Sequence, residues 1–323
     1  MLVVYNSRPD SEEPNLNEAL PSIIADLSRQ LGSHGFQFRI IKYNEVKVLQ
    51  DEITALFTSG NADDQIFQRY AKNFNYHLPS GNFQPNSVIC VSEFSPILKI
   101  SCRWQGKTYP VLMPPTYIDF TPPAHPLTIL QNVLTRYGFS VSRVRVPEKL
   151  VAVRSGLAHY GRNNISYVPE WGSFHRLSSY LTDLPTPKDT WTPLTWMKQC
   201  ENCVACANAC PTGAIRKDRE MLDAAKCNTF HNENPDPFPI GIKPTWHNCL
   251  LGCLKCQLIC PANKNVKEKV ELLGELSEDE TKLLLDGRSK DEMTPNLRAL
   301  LEKLKPWDYI PLLSRNLRAL LPS

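Results

Sequence analysis

Nine of the eleven cysteines of this 323-residue chain fall between residues 200 and 260. The stretch "CENCVACANACPTGAI" (200–215) carries four of them at spacings of two, two and three, with a proline after the last. Thiols at that density must either pair with one another or bind metal, and the compartment decides which. The opening "MLVVYNSRPDSEEP" has no basic flank, no twin arginine and no small-residue cleavage site, so it does not read as an export signal. No apolar run approaches the ~20 residues of a membrane span. A cytoplasmic location is expected, where thiols stay reduced, and a chain of this length has no need of disulfide staples. That leaves metal. The two outlying cysteines, Cys90 and Cys102, read instead as small buried hydrophobes, Cys90 within the strand-like "SVICV".

Cys200, Cys203, Cys206 and Cys210-Pro211 match C-x2-C-x2-C-x3-C-P, the bacterial ferredoxin run in which three thiolates grip one [4Fe–4S] cube and the fourth crosses to a second. One such run predicts another, and "CLKCQLICP" (253–261) supplies Cys253, Cys256 and Cys260-Pro261. The crossing rule gives Cys200, Cys203, Cys206 and Cys260 to the first cluster and Cys210, Cys253 and Cys256 to the second, which is then one ligand short. The regular position for the missing thiol is occupied by Leu250. Two candidates remain, Cys227 in "LDAAKCNTF" and Cys249, one residue off register. Cys227 is favoured, because Cys249 would reach the iron only through a rearranged loop. Zinc also takes C-x2-C pairs but fits poorly, since a structural zinc site closes on four ligands with no crossing fourth. The segment reads as an electron wire.

The rest of the chain alternates helical and strand signals over a length suited to about two domains, with 42% hydrophobic residues to form cores. Leu16, Leu20, Ile23, Ile24, Leu27 and Leu31 make one helical stripe that Gly32 or Gly35 can end. Strands are expected at "FQFRIIKY" (36–43) and "NSVICVSE" (86–93), a second helix at 45–57, and a hairpin turning at "QG" (105–106) between "LKISCRW" and "KTYPVLM". Five prolines in "PPTYIDFTPPAHP" (114–126) demand a loop. A helix over 126–137, a strand over 139–146, a helix opened by Pro147 and running to about His159, and a strand at "SSYLTDLP" follow. Beyond the cysteines, 266–287 and 296–323 both read as helical. The fold class is therefore α+β: a mixed α/β N-terminal domain (1–195), a ferredoxin-like double-cluster domain (196–265) and a helical tail (266–323). A net charge of +3, from 36 basic and 33 acidic side chains, imposes no field that demands nucleic acid.

The order of "RSGLAHYGRNNISYVPEWGSFHRLSSYLTDLP" (154–185), "CENCVACANACPTGAI", "LDAAKC" and "GCLKCQLICP" resembles the epoxyqueuosine reductases and, more distantly, the corrinoid reductive dehalogenases. The resemblance covers roughly 95–320, including a tail like "RNLRALL". It implies a base-off cobalamin held by the α/β domain with the nearer cluster as its reductant, and its cysteine supply also supports Cys227 over Cys249. Gly156 and Gly161 would let the backbone approach a large flat ligand, and Arg162, Asn163 and Asn164 would offer donors to its propionamide or phosphate groups. His159 stands where the family has an aromatic residue and is a candidate axial cobalt ligand.

The sequence also departs from the family. Reductases of epoxyqueuosine carry an acidic proton donor shortly before the helix leading to the Gly segment, where this chain reads "SVSRVRVPEKL" (140–150) with no aspartate. Their Tyr-His pair after the hairpin turn is Tyr109-Pro110 here. Reducing an epoxide to an alkene needs a proton at the departing oxygen, and Tyr109, Tyr117, Asp119 and Glu148 are the candidate substitutes, with Tyr109 and Asp119 taken as the catalytic pair. The expected function is an oxidoreductase in which two [4Fe–4S] clusters feed a cobalamin that reduces a bound substrate, drawing electrons from a low-potential ferredoxin or flavodoxin. A tRNA partner is admitted but not favoured. The alternative is an electron carrier, or a reductase that activates a corrinoid on a partner protein, with no organic substrate of its own.

Overall fold

The computed structural model describes residues 16–58, 64–77, 83–117, 125–188, 190–217, 221–304 and 310–322. Its strands are β1 (Phe36–Lys42), β2 (Ser87–Phe94), β3 (Ile97–Trp104), β4 (Lys107–Met113), β5 (Val141–Val144), β6 (His159–Tyr160), β7 (Ser166–Tyr167), β8 (His175–Thr182) and β9 (Val270–Leu276). The helices are α1 (Leu16–Ser33), α2 (Tyr43–Thr58), α3 (Asp64–Arg69), α4 (Pro126–Leu134), α5 (Glu148–Arg154), α6 (Ala205–Ala209), α7 (Asn228–Glu233), α8 (Lys255–Leu258), α9 (Glu278–Leu285), α10 (Pro295–Lys303) and α11 (Ile310–Leu320).

The first sheet runs β1-β2-β8-β5, with every neighbouring pair antiparallel. β2 lies inside it and is covered on both faces, which is why "SVICVS" is apolar without alternating. On one face α1 and α4 bury Ile23, Leu27, Leu31, Leu130 and Val133 against Ile89, Val91 and Tyr180. On the other, Val46 and Leu49 of α2 and Val151 of α5 meet Val88, Cys90 and Leu181. Cys90 and Cys102 are the small buried hydrophobes expected; burial pushes both thiols up, that of Cys102 to about 12. The α1 stripe ends as expected, with Gly35 at φ +76 just past Ser33.

The second sheet runs β4-β3-β9. The β3–β4 hairpin turns at Gln105 and Gly106, both in the left-handed region at φ 49 and 71. Here the structure corrects the sequence reading, because residues 270–276 of the expected helical tail form β9 and pair in parallel with β3. Tertiary pairing overrides helix propensity at this point: β3 offers an open edge, and Leu273 and Leu276 turn into the core while Val270 and Leu272 stay exposed. Gly274 permits it, since a Cβ there would stand 3.0 Å from the Leu300 side chain. Helices α9, α10 and α11 then cover this sheet, and Leu284, Leu297, Leu300, Leu301, Leu313 and Leu317 complete one core with Leu98, Ile100 and Met113. The helix opened by Pro147 is also shorter than expected. It ends at Arg154, and Gly156, at φ +74, turns the chain out of it well before His159.

Candidate iron–sulfur and cofactor site

Each cysteine run wraps a very short helix. Cys203, Cys206 and Cys210 precede, occupy and follow α6, as Cys253, Cys256 and Cys260 do for α8, and the two helices pack against each other. The thiols group by mutual influence. Burial pushes Cys206 up to about 11, and the charges of Cys200, Cys260 and Cys203 add to it; burial raises Cys200 too, with Cys260 and Cys203 as its charged neighbours. Cys253 is pushed up to about 11 by burial and then by Cys227 and Cys210. Cys256 is raised by burial, Cys253 and Cys227, and Cys227 by burial and Cys210. A fainter influence links Cys256 to Cys206, across the two groups. Cys249 is fully buried in a core with Ile97, Phe174, Leu254 and Val266, and its thiol is raised by burial and then by Cys253 and Cys256.

The "GRNN" segment touches the loop that carries the first group. The guanidinium of Arg162 donates to the carbonyls of Cys200 (2.7 Å), Cys203 (3.1 Å) and Lys217 (3.1 Å). Asn163, 3% exposed, donates to the Tyr167 hydroxyl at 3.0 Å. Asn164, held at φ 56, accepts from Leu222 N–H through its side chain at 2.5 Å and from Lys149 Nζ through its carbonyl at 3.3 Å. Arg162 and Asn164 thus tie the segment to the chain at 200–203 and 217–222. Gly161 is required by packing, because a Cβ would sit 2.6 Å from the Tyr167 ring and 2.7 Å from Asn163 Oδ1.

The tail reaches the same loops through two residues whose part went unread in the sequence. Arg315 donates to the carbonyls of His231 (3.0 Å), Asn232 (3.3 Å), Asn234 (2.8 Å) and Asp236, and its guanidinium lies 4.0 Å over the Phe238 ring. Asn316, fully buried, donates to Asn232 O (3.0 Å) and Leu250 O (2.8 Å). Asn232 in turn donates to Gly252 O at 2.8 Å, so α11 is stitched to the chain between Cys227 and Cys253.

A cavity of about 630 Å³ adjoins the first group. His159, Tyr167, Val168, Glu170 and Gly172 wall one side, Trp196–Gln199 lead directly into Cys200, and Ala262, Asn265 and Val266 follow Cys260-Pro261. Its volume lies within the ~300–1,000 Å³ usual for ligand pockets. His159 Nδ1 is bonded to Thr195 Oγ1 at 3.0 Å, so a metal ligand from this ring would have to be Nε2. Glu170 sits at φ 71, an uncommon conformation for a glutamate. Among the candidate acids, Tyr109 packs on the core formed with the tail helices and does not line this cavity, and Asp119 lies outside the described residues. Tyr117 is buried with its hydroxyl donating to Glu233, which also accepts from Tyr70 at 2.6 Å.

Residues 199–263 match the 4Fe-4S double cluster binding domain family. The epoxyqueuosine reductase of Bacillus anthracis is 33% identical over 119 residues, 37% of this chain and 30% of that protein, so the chain aligns with about a third of the relative's length. The epoxyqueuosine reductase structure from Streptococcus thermophilus superposes with a TM-score of 0.65 at 16% identity, covering 93% of this chain and 81% of that one. The chain is similar to epoxyqueuosine reductases over part of its length and shares their fold. An epoxyqueuosine reductase solved with an epoxyqueuosine-modified tRNA stem loop shares the fold at a TM-score of 0.60 and 17% identity, over 95% of this chain and 82% of the other. The chain thus carries a double [4Fe–4S] domain in the α+β setting its sequence implied. Among the described residues no helix is long and apolar enough to cross a membrane.

Proposed function

We propose that the chain is a reductase whose cysteines hold two [4Fe–4S] clusters and whose adjoining cavity takes a base-off cobalamin, which when bound supplies the reducing power at the substrate. Cys200, Cys203, Cys206 and Cys260 would hold the first cluster and Cys210, Cys227, Cys253 and Cys256 the second, the division that the spacing of the two runs supports. The observation that carries the reading is that the cavity is walled by the residues just before Cys200 and just after Cys260. A group bound there adjoins the first cluster and is placed to take its electrons.

The chain's own residues divide the remaining work. His159 would bind or orient the cofactor through Nε2, and Trp196 and Tyr167 would exclude water from its edge. Proton delivery falls to Glu170, the cavity's one carboxylate among the described residues, rather than to Tyr109. A two-electron reduction that releases oxygen as water takes two electrons from a low-potential ferredoxin or flavodoxin in the cytoplasm and two protons through such an acid. The electron-carrier alternative is not favoured, because a carrier has no use for a cavity built onto its cluster ligands.

The test is EPR of the anaerobic, cluster-replete protein mixed with cob(II)alamin. A base-off cobalt spectrum that reverts in His159→Ala supports the pocket; the unchanged spectrum of free cobalamin overturns it. The epoxyqueuosine-modified tRNA stem loop is the reference substrate. Binding to it that weakens steeply with rising salt would extend the reading to nucleic acid, and salt-insensitive or absent binding would remove tRNA from it.

A further inference from the structure

We propose that Asn263 couples the cavity to the first cluster: its buried carboxamide locks two walls of the cavity together, so that a ligand filling the cavity and the cluster held at Cys260 each help to retain the other. The inference rests on the ligand assignment and the cobalamin reading above. It goes beyond them by giving Asn263 and Ser173, neither of which lines the cavity, a part in its loading.

One wall is the turn after β7, where Val168 N–H donates to Gly172 O at 2.9 Å and Glu170 is held between them. The other is the chain leaving the second cysteine run, with Ala262, Asn265 and Val266. Asn263 is tied to that run through its backbone, since its N–H donates to Cys260 O at 3.0 Å. Its fully buried side chain crosses to the turn. Oδ1 accepts from Ser173 N–H at 2.9 Å, while Nδ2 donates to Ser173 Oγ and to Gln257 O, both at 2.8 Å. Ser173 Oγ donates onward to Gln257 Oε1 at 2.9 Å, and Gln257 sits in α8 between Cys256 and Cys260. Ser173 and Gln257 are buried too, so a bond broken here leaves a buried group unsatisfied. The seam has no slack: Gly172 lies at φ +57, and a Cβ on it would overlap Asn263 Oδ1 and stand 3.2 Å from Ala262 O. A buried network of this kind is stable only when its members are satisfied together. Displacing the Cys260 turn therefore pulls Asn263 away from Ser173 and parts the walls. A ligand that touches both walls favours the closed seam and, with it, the Cys260 turn. Such coupling is reciprocal in free energy, and a factor of about ten lies within its usual range. Asn263 and Ser173 are positioning residues that act through the walls they join.

The experiment is anaerobic release of iron to a ferrous chelator from the cluster-replete holoprotein, with and without saturating cob(II)alamin. The first cluster's share is the part missing in Cys200→Ala. In wild type, cobalamin is expected to slow release of that share about tenfold and to leave the rest unchanged. Ser173→Ala removes the hydroxyl at the centre of the seam and keeps the bonds of Asn263 to Ser173 N–H and Gln257 O. It is expected to load full iron and, at equal cobalamin occupancy, to cut the protection to about twofold or less; Asn263→Ala should abolish it. Protection that survives in full in both variants is occlusion of the chelator and overturns the coupling, as does wild type that binds cobalamin base-off without protection. Either result leaves the cavity reading standing. A cobalt spectrum that stays that of free cobalamin overturns the cavity reading and the coupling with it.

Discussion

Replacing Arg315 by lysine keeps the positive charge and removes the planar fork, which makes it a sharp test of whether the tail holds the second cluster loop. The guanidinium reaches four carbonyls between residues 231 and 236 and stacks on Phe238. An ammonium is a compact point charge with three donors and can serve about two of those carbonyls. The two left over cost ~1 kcal/mol or somewhat more each, and the lost stacking ~0.5–1 kcal/mol, so the loop should be destabilised by about 3 kcal/mol. Since 1.4 kcal/mol is a factor of ten, the open form of the loop should become about a hundredfold more populated. Cys227 is the residue from which α7 starts, and the carbonyls Arg315 holds lie in and just beyond that helix. The opening should therefore release the second cluster first. The assay is anaerobic transfer of iron to a ferrous chelator, followed beside urea unfolding of the same sample. Arg315→Lys is expected to lose about half its iron much faster than wild type and to keep the other half. Wild-type kinetics for both halves would show that the carbonyl clamp carries no energy and that the reasoning is wrong.

Three further outcomes are expected. Cys227→Ala should leave about half the normal iron or a [3Fe–4S] EPR signal, whereas Cys249→Ala, in its dry core, should keep full iron; the reverse would overturn the choice of ligand. Gly252→Ala should destabilise the Cys253 loop by at least ~2 kcal/mol and cost the second cluster, because φ is +68 there and a Cβ would stand 2.7 Å from the Tyr117 hydroxyl; iron content and the urea midpoint of the variant check it. His175, 6% exposed, is bonded to Ser92 Oγ (3.2 Å) and Ser166 O (2.9 Å), and burial lowers it from 6.5 to about 4. The unfolded chain therefore binds the extra proton first as pH falls. Stability should drop between about pH 6.5 and 4 by roughly 3 kcal/mol, and urea midpoints of His175→Gln should lose that slope.

What the sequence disclosed and what it hid follow from the range of the interactions. Cluster ligation is dictated by spacing within a dozen residues, so Cys200, Cys203, Cys206, Cys210, Cys253, Cys256 and Cys260 can be grouped from their spacing alone. Most helices and strands of the first domain, with their own periodicity and Gly stops, were legible to within a few residues, whereas the helix after Pro147 stops at Arg154 and the short α3, β6 and β7 gave no signal. The strand at 270–276 was not, because "VELLGEL" has no strand pattern of its own and becomes a strand only by meeting the edge of β3, some 170 residues earlier. The roles of Arg162 and Arg315 were hidden for the same reason. Each is a polar residue whose partners are backbone carbonyls far along the chain, and no local signal separates such a residue from one facing a ligand or solvent. Glu170 could have been flagged only by its backbone, which sequence does not report.

These long-range contacts also explain why the tail and the cluster loops should behave as one unit. β9 fastens the start of the tail to the hairpin sheet, while Arg315 and Asn316 fasten its end to residues 231–250. Between the two anchors, α9, α10 and α11 share a single apolar core with β3 and β4. Opening the second cluster loop thus breaks the Asn316 and Arg315 bonds, and releasing α11 exposes Leu313 and Leu317 from that core. Neither event is cheap without the other. Burial raises the Cys253 and Cys256 thiols, so on loss of iron those two sulfurs would take up protons rather than remain as charged thiolates. The fold can then survive the loss of a cluster even though it is built to prevent it, because the energy that positions the ligands comes from the tail and the Gly segment and not from the iron alone.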